Sequence, residues 1–324
     1  MLPLKRILCP TDFSDFSYEA IEKGAELARQ FEAELCVLHV TPTLQNTPGL
    51  TPFPEFAGID PSQYETATRE GAEREMGELI ERHRLKGIRV RALVRRGSPA
   101  DEIVSVADEE KADLIILATH GLTGWRSHIF GSVAEKVLRV ARCPVLVKRV
   151  QTTEAANTRF MDLTTPPRKI LCSTDFSEPS FAALQVAGEW AAHFGTELCL
   201  IHVVEPLGSP GLILSREQIE EAMQAEAVQQ LHAVLRERLP QLAAARPMVR
   251  KGSAADEIAA AAEQEDIDLI VIATHGSSGW RTIVSGTAVE RILFGSVTTN
   301  VVRLTRCPIL TVRLPPEPGV FQVD

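Results

Sequence analysis

Cysteine is scarce in this chain: six in 324 residues, too few for a disulfide scaffold at this length. Long apolar runs are missing as well. None approaches the ~18 residues of a membrane span, and the opening MLPLKRILCPTDFS has no signal-peptide hydrophobic region. No membrane span and a cytoplasmic location are the expectation. Basic residues are outnumbered, 34 Lys and Arg against 43 Asp and Glu, for a formal net charge of −9. That balance argues against a general nucleic-acid binder and against an anionic membrane surface. It leaves room for a small phosphate ligand, because a site of backbone N–H groups needs no basic patch. Catalytic signatures are absent too: no G-x-x-x-x-G-K-[ST], no G-x-G-x-x-G, no H-E-x-x-H and no Ser-Gly-Gly pyrophosphatase loop.

What remains has the composition of a globular protein, 44% hydrophobic and 24% charged, with length for two domains. The chain is also a repeat. KRILCPTDFS at Lys5–Ser14 returns as RKILCSTDFS at Arg168–Ser177, and FEAELCVLHV at Phe31–Val40 returns as FGTELCLIHV at Phe194–Val203. A third block, from Gly97, returns from Gly252. Asp12 to Asp175 is a shift of 163, whereas His120 to His275 is a shift of 155, so the first half carries eight extra residues. They are assigned to the Pro-rich segment Thr41–Pro61. The expected organisation is a first domain over residues 1–150, a linker over 151–167, a second domain over 168–314 and a tail over 315–324.

Within each copy β and α patterns alternate. In the first, strands are expected at Arg6–Cys9, Glu34–Val40, Ile88–Val94, Asp113–Ala118 and Val145–Lys148. Helices are expected at Ser17–Phe31, Pro61–Lys86, Ser98–Glu110 and Ser132–Ala141. The fold class is therefore α/β: two tandem Rossmann-like domains, each a five-stranded parallel sheet with helices on both faces. Ligands of such sheets bind at the carboxyl ends of the strands, which places Thr11-Asp12, Val40 and the Gly121 loop on one rim.

The stretch Asp113–Glu135, DLIILATHGLTGWRSHIFGSVAE, carries the chemistry. A buried strand feeds a loop punctuated by Gly121 and Gly124, and Gly131-Ser132 opens a helix. Ser132 followed by Glu135 reads as a capping box. Strand, glycine loop and helix amino terminus together make an anion site. Other features carry less. Cys36-x-x-His39 and Cys199-x-x-His202 have metal-like spacing, but residues three apart on a strand point to opposite faces, and no metal is expected. His120 and His275 have no partner carboxylate or nucleophile nearby in sequence, so no catalytic residue is assigned. Trp125 and Trp280 read as base-stacking groups, or at least as readily as loop anchors or a domain contact.

These residues resemble the universal stress protein family, in its tandem-domain, ATP-binding form. The most specific motif is Gly-x2-Gly-x9-Gly-Ser/Thr after the fourth strand, here Ala118-x2-Gly121-x9-Gly131-Ser132. Thr11-Asp12, His39-Val40 and Cys143-Pro144 support it, and the features recur in order in both halves. The resemblance implies an adenine nucleotide alpha hydrolase-like fold and ATP as ligand, with or without Mg²⁺. It implies sites at Pro10, Thr11, Asp12, Val40, Ala118, Gly121, Gly131, Ser132 and Val133, and at Thr174, Asp175, Val203, Ala273, Gly276, Gly295, Ser296 and Val297. Asp12 would meet the ribose or adenine, the Val40 backbone the adenine edge, and the Gly131–Val133 amides the phosphates. Asp12 and Ser132 read equally as helix caps.

The departures are specific. Ala118 and Ala273 replace the first motif glycine, and Ser173 replaces Pro10. Gly276 to Gly295 spans 19 positions where Gly121 to Gly131 spans 10, and Gly286-Thr287 competes with Gly295-Ser296 as the second phosphate loop. The function expected is a nucleotide-dependent stress-response binding module. A nucleotide-free scaffold and a weak ATPase are the alternatives, since no lysine follows the glycine loop to neutralise a transferring phosphate. By family resemblance the last strands would pair within the chain as a pseudo-dimer, with homo-oligomers or protein partners left open.

Overall fold

Each half of the chain alternates strand and helix, as the apolar runs and amphipathic segments require. A computed structural model describes residues 1–43, 61–82, 85, 87–118, 131–148, 167–206, 216–242, 244–274 and 296–314. The first half runs β1 (Arg6–Thr11), α1 (Asp15–Phe31), β2 (Glu34–Thr41), α2 (Pro61–Arg82), β3 (Arg89–Arg96), α3 (Pro99–Glu109), β4 (Leu114–Ala118), α4 (Ser132–Val140) and β5 (Val145–Lys148). The second runs β6 (Lys169–Ser173), α5 (Glu178–Phe194), β7 (Glu197–Val204), α6 (Arg216–Arg238), β8 (Arg246–Lys251), α7 (Ala254–Gln264), β9 (Leu269–Ala273), α8 (Ser296–Leu304) and β10 (Ile309–Val312). Each half is a parallel α/β domain of Rossmann type with helices on both faces. The linker residues 151–166, the tail 315–324 and the Pro-rich residues 44–60 lie outside the described residues.

In the first half the strand order is β3-β2-β1-β4-β5, and the second repeats it as β8-β7-β6-β9-β10. Winding therefore reverses between β1 and β4, and between β6 and β9, the switch points at which such sheets take ligands. The strands splay there. β1 pairs with β2 from Arg6↔Glu34 through Thr11↔His39, but with β4 only at Ile7↔Leu114 and Leu8↔Ile115. This explains why β1 runs through Pro10, where sequence reasoning stopped it at Cys9. A proline costs a ladder bond, and here it falls beyond the two-sided part of the ladder.

The core is the central strands and the helix faces on them: Ile7, Leu8, Leu35, Leu38 and Leu114–Ile116 are fully buried. At the amino end of the sheet one carboxylate clamps two strands. Asp113 Oδ2 accepts the Lys5 and Arg6 amides at 2.7 and 2.8 Å, and Asp268 Oδ2 accepts those of Arg168 and Lys169 at 2.7 and 3.2 Å. At the other end, Gly97 and Gly252 turn β3 and β8 into the following helices at φ 153°. A Cβ at either would strike the side chain of Glu102 or Glu257, which only glycine avoids.

The eight surplus residues of the first half fall between β2 and α2, with 19 positions there (42–60) against 11 (205–215) between β7 and α6. Helix α2 ends at Arg82, before the expected Lys86.

Candidate functional site

The rim of the first half begins with the turn Thr11-Asp12-Phe13-Ser14, which carries β1 into α1. Thr11 Oγ1 accepts the Phe13 amide at 2.9 Å and lies 2.8 Å from Ser17 Oγ. Ser17 spends its one hydroxyl hydrogen on Ser14 O at 2.8 Å, so Thr11 is the donor between them. Asp12 Oδ1 accepts both the amide and the hydroxyl of Ser14, at 3.1 and 2.5 Å. Ser14 caps α1, accepting the Ser17 amide at 3.3 Å. Asp12 is thus not the cap itself; it braces the cap and remains half-buried on the rim.

Phe13 holds φ 62°, a conformation that costs a bulky residue about 1–3 kcal/mol. Its ring stacks on His39, with centroids 4.3 Å apart and planes inclined by 27°. His39 Nδ1 lies 2.9 Å from Thr11 O; a carbonyl only accepts, so Nδ1 carries the hydrogen. Burial holds the His39 pKa below its ordinary 6.5, against the opposing pull of the Thr11 carbonyl, Glu75 and Asp12. Burial thus favours the neutral form of the ring. Val40 follows it in β2, half-buried, with its backbone on the same rim.

Ala118 closes β4, and Ala273 closes β9 in register with Val312. Both are extended and neither is among the residues with positive φ, so alanine in place of the motif glycine carries no backbone strain.

Helix α4 differs from its sequence reading. Gly131, not Ser132, holds the cap position: it is extended (φ −61°, ψ 132°) and its carbonyl accepts the Glu135 amide at 2.9 Å. Ser132 is the first helical residue, from which a hydroxyl cannot reach the third amide, and Glu135 bonds Arg139 at 3.0 Å instead. The capping box is therefore not formed, and among the described residues no side-chain hydrogen bond caps α4. The first-turn amides of Ser132, Val133 and Ala134 point off the helix end with the positive end of its dipole. Lys136, the lysine of α4, is paired with Asp101 of α3 at 2.6 Å.

The second rim repeats the turn. Thr174 Oγ1 lies 2.9 Å from Ser180 Oγ, Asp175 Oδ1 accepts the Ser177 amide and hydroxyl at 3.1 and 2.5 Å, and Phe176 holds φ 61° against His202, 4.5 Å between centroids. His202 Nδ1 is 2.9 Å from Thr174 O. Ser173 ends β6 in the place of Pro10, Val203 lies in β7, and Asp175 is exposed where Asp12 is half-buried. Helix α8 begins at Ser296, exposed, followed by Val297, half-buried. Thr298, buried in the place of Ala134, donates its hydroxyl to Ala273 O at 2.8 Å. Gly121, Gly276, Gly295, Gly286-Thr287, His120, His275, Trp125 and Trp280 lie outside the described residues.

Sequence reasoning missed Phe13 and His39 as parts of the rim, although their signal was present in the doubled TDFS and LHV/IHV. It sets the Cys36-x-x-His39 metal spacing aside and uses His39-Val40 only as a supporting family feature. Cys36 is fully buried while His39 faces the turn, and burial pushes the Cys36 thiol up to about 11. No group of three metal-ligating side chains occurs among the described residues.

A parallel α/β fold, repeated in tandem with the same turn in each copy, defines a two-domain protein of Rossmann type. The universal stress protein family matches this sequence twice, over residues 3–149 and 167–313, and the chain belongs to that family. A universal stress protein of Methanocaldococcus jannaschii is 34% identical over 155 residues, covering 44% of this chain and 81% of the relative. Universal stress protein YxiE of Bacillus subtilis is 32% identical over 148 residues, covering 44% of this chain and 98% of the relative. Among solved structures, a universal stress protein from Archaeoglobus fulgidus superposes with a TM-score of 0.61 at 23% identity, over 96% of this chain and 97% of that one. A putative universal stress protein from Pseudomonas aeruginosa gives 0.62 at 17%, over 96% and 94%. At these identities the likeness concerns the fold.

Proposed function

We propose that this chain binds an adenine nucleotide, ATP with or without Mg²⁺, and serves as a nucleotide-dependent binding module in the stress response, without efficient catalysis. The observation that carries the reading is the amino end of α4. An extended glycine occupies the cap, no side chain among the described residues caps the helix, and an exposed Ser132 stands beside it at the carboxyl end of the sheet. Amides in that setting favour a polyphosphate without a basic side chain. In this reading Asp12 accepts from the ribose or adenine, with Pro10 and Thr11 fixing the approach. The Val40 backbone meets the adenine edge, Ala118 and Gly121 let the chain pass close, and Gly131, Ser132 and Val133 hold the phosphates. Thr174, Asp175, Val203, Ala273, Gly276, Gly295, Ser296 and Val297 form the corresponding second site. With Lys136 engaged by Asp101, no free cation of α4 is offered to a transferring phosphoryl group, which supports binding over turnover.

The test is mass spectrometry of small molecules released by denaturing the purified protein, with calorimetry of ATP and Mg²⁺. Released adenine nucleotide and saturable binding are expected; an empty protein that gives no heat with ATP would remove the reading.

A further inference from the structure

We propose that His39, and His202 in the second half, are positioning residues: each locks its Thr-Asp-Phe-Ser turn in the conformation that presents the aspartate carboxylate to the ligand. The proposal rests on the nucleotide reading of the rim and names a residue outside its contact set.

Three constraints hold the turn, and two are local. The Thr11 hydroxyl ties the Phe13 amide to Ser17, and the Asp12 carboxylate ties itself to Ser14. Both lie within the stretch from Thr11 to Ser17 and do not reach the neighbouring strand. The third reaches in from the neighbouring strand. The His39 ring donates through Nδ1 to the carbonyl of Thr11, a residue only 7% exposed, and presents its face to Phe13. Without the ring, the Thr11 carbonyl loses a donor in a place that excludes water, and nothing offsets the positive φ of Phe13. Relaxation of Phe13 to negative φ would carry Asp12 with it. The register Thr11↔His39 sets this contact, so the sheet itself aims the turn.

The second half is an internal replicate. Its phosphate side has changed, through the longer connection and Thr298, and Ser173 stands where Pro10 does. Yet the bond to the threonine carbonyl is 2.9 Å in both halves, and the positive φ recurs within one degree. A merely space-filling ring would not need a hydrogen on the same nitrogen twice.

The experiment compares His39→Asn and His39→Phe in the full chain. Asparagine places an N–H where Nδ1 lies and abandons the stack; phenylalanine keeps a ring and abandons the donor. Calorimetry with ATP and Mg²⁺ should show His39→Asn within about threefold of wild type and His39→Phe weaker by about tenfold, the factor a lost buried hydrogen bond gives. Nitrogen-15 spectra of the wild-type imidazole should show Nδ1 protonated. Wild-type affinity in His39→Phe, or a protonated Nε2 with bare Nδ1, overturns the proposal. If the wild-type chain binds no ATP, the nucleotide reading falls and the positioning role is judged from amide exchange at Phe13 and Ser14. Exchange faster by about tenfold in His39→Phe, but not in His39→Asn, supports it; unchanged exchange in both sinks it.

Discussion

The two rims of this molecule agree on one side and part on the other. Around the Thr-Asp-Phe-Ser turns the hydrogen bonds match to within 0.1 Å: 2.8 and 2.9 Å from threonine to serine, 2.5 Å in both from the serine hydroxyl to the aspartate, and 2.9 Å in both from histidine to threonine. Toward the phosphate-side helices they diverge. Thirteen positions (119–131) join β4 to α4, whereas 22 (274–295) join β9 to α8. Lys136, paired with Asp101, has Asn300 as its counterpart, and Ala134 has Thr298, which bonds the carbonyl at the strand end. A side held by local hydrogen bonds and strand register tolerates little change. A side made of a helix end and a connecting loop tolerates much, because insertion there leaves the sheet intact. The halves should therefore share a way of holding the ribose end of a ligand and differ in the grip on its phosphates.

The largest expected difference is in affinity. Asp12→Ala should weaken ATP binding at the first-half site by about 10- to 100-fold, the range for losing a hydrogen bond to a charged group, whereas Asp175→Ala should leave that site unchanged. Calorimetry on both variants checks this, and equal losses would make the rims equivalent.

Next comes packing of α1 on the sheet. A Cβ at Gly24 would lie 2.4 Å from Cys9 Sγ and 2.9 Å from Leu35 Cδ1. The second half already has Ala187 there, and its Cys172 sulfur turns to Ser173 O, where Cys9 faces Ala20 O. Gly24→Ala should cost about 1–2 kcal/mol in chemical denaturation of the full chain, limited by the freedom of Cys9 to turn in the same way. A stabilised variant would contradict the packing account.

A smaller effect separates α4 from α8. Thr298→Ala deletes the buried bond to Ala273 O and should cost about 1 kcal/mol, since the alanine is what α4 carries at that place. Thermal unfolding that is unchanged would mean that the hydroxyl holds nothing.

Smallest is the response to acid. Because burial lowers the folded pKa of His39 below 6.5, its contribution to stability is present above pH 6.5 and is lost as the pH falls through the lowered value. The melting temperature of the wild type should drop more between pH 7 and pH 5 than that of His39→Asn, and parallel profiles would argue against a buried neutral imidazole.

Much of this architecture was legible in the residues. The runs LIILA and LIVIA are apolar on both faces and could only be central parallel strands. The shifts of 163 and 155 located the insertion, whereas α1 begins at Asp15 with Ser14 as its cap, two residues before the expected Ser17. Three features were not legible. Pro10 ended the first strand on paper, because only the splay between β1 and β4 shows that its missing N–H does not matter. Ser132 and Glu135 matched a capping pattern, but a pattern four residues long does not reveal that the helix starts one residue early and that Arg139 takes the glutamate. Phe13 at positive φ contradicts local preference; its compensation comes from His39, 26 positions away, and only strand register brings the two together.

The measurement that bears most directly on nucleotide recognition is peptide-resolved hydrogen exchange with and without ATP and Mg²⁺. If bare amides at the start of α4 hold the phosphates, exchange should slow at Gly131–Ala134 and across Asp12–Ser14, with residues 5–6 and 113 at the far end of the sheet unaffected. ATP that binds while leaving the Gly131–Ala134 amides as fast as before would contradict the account.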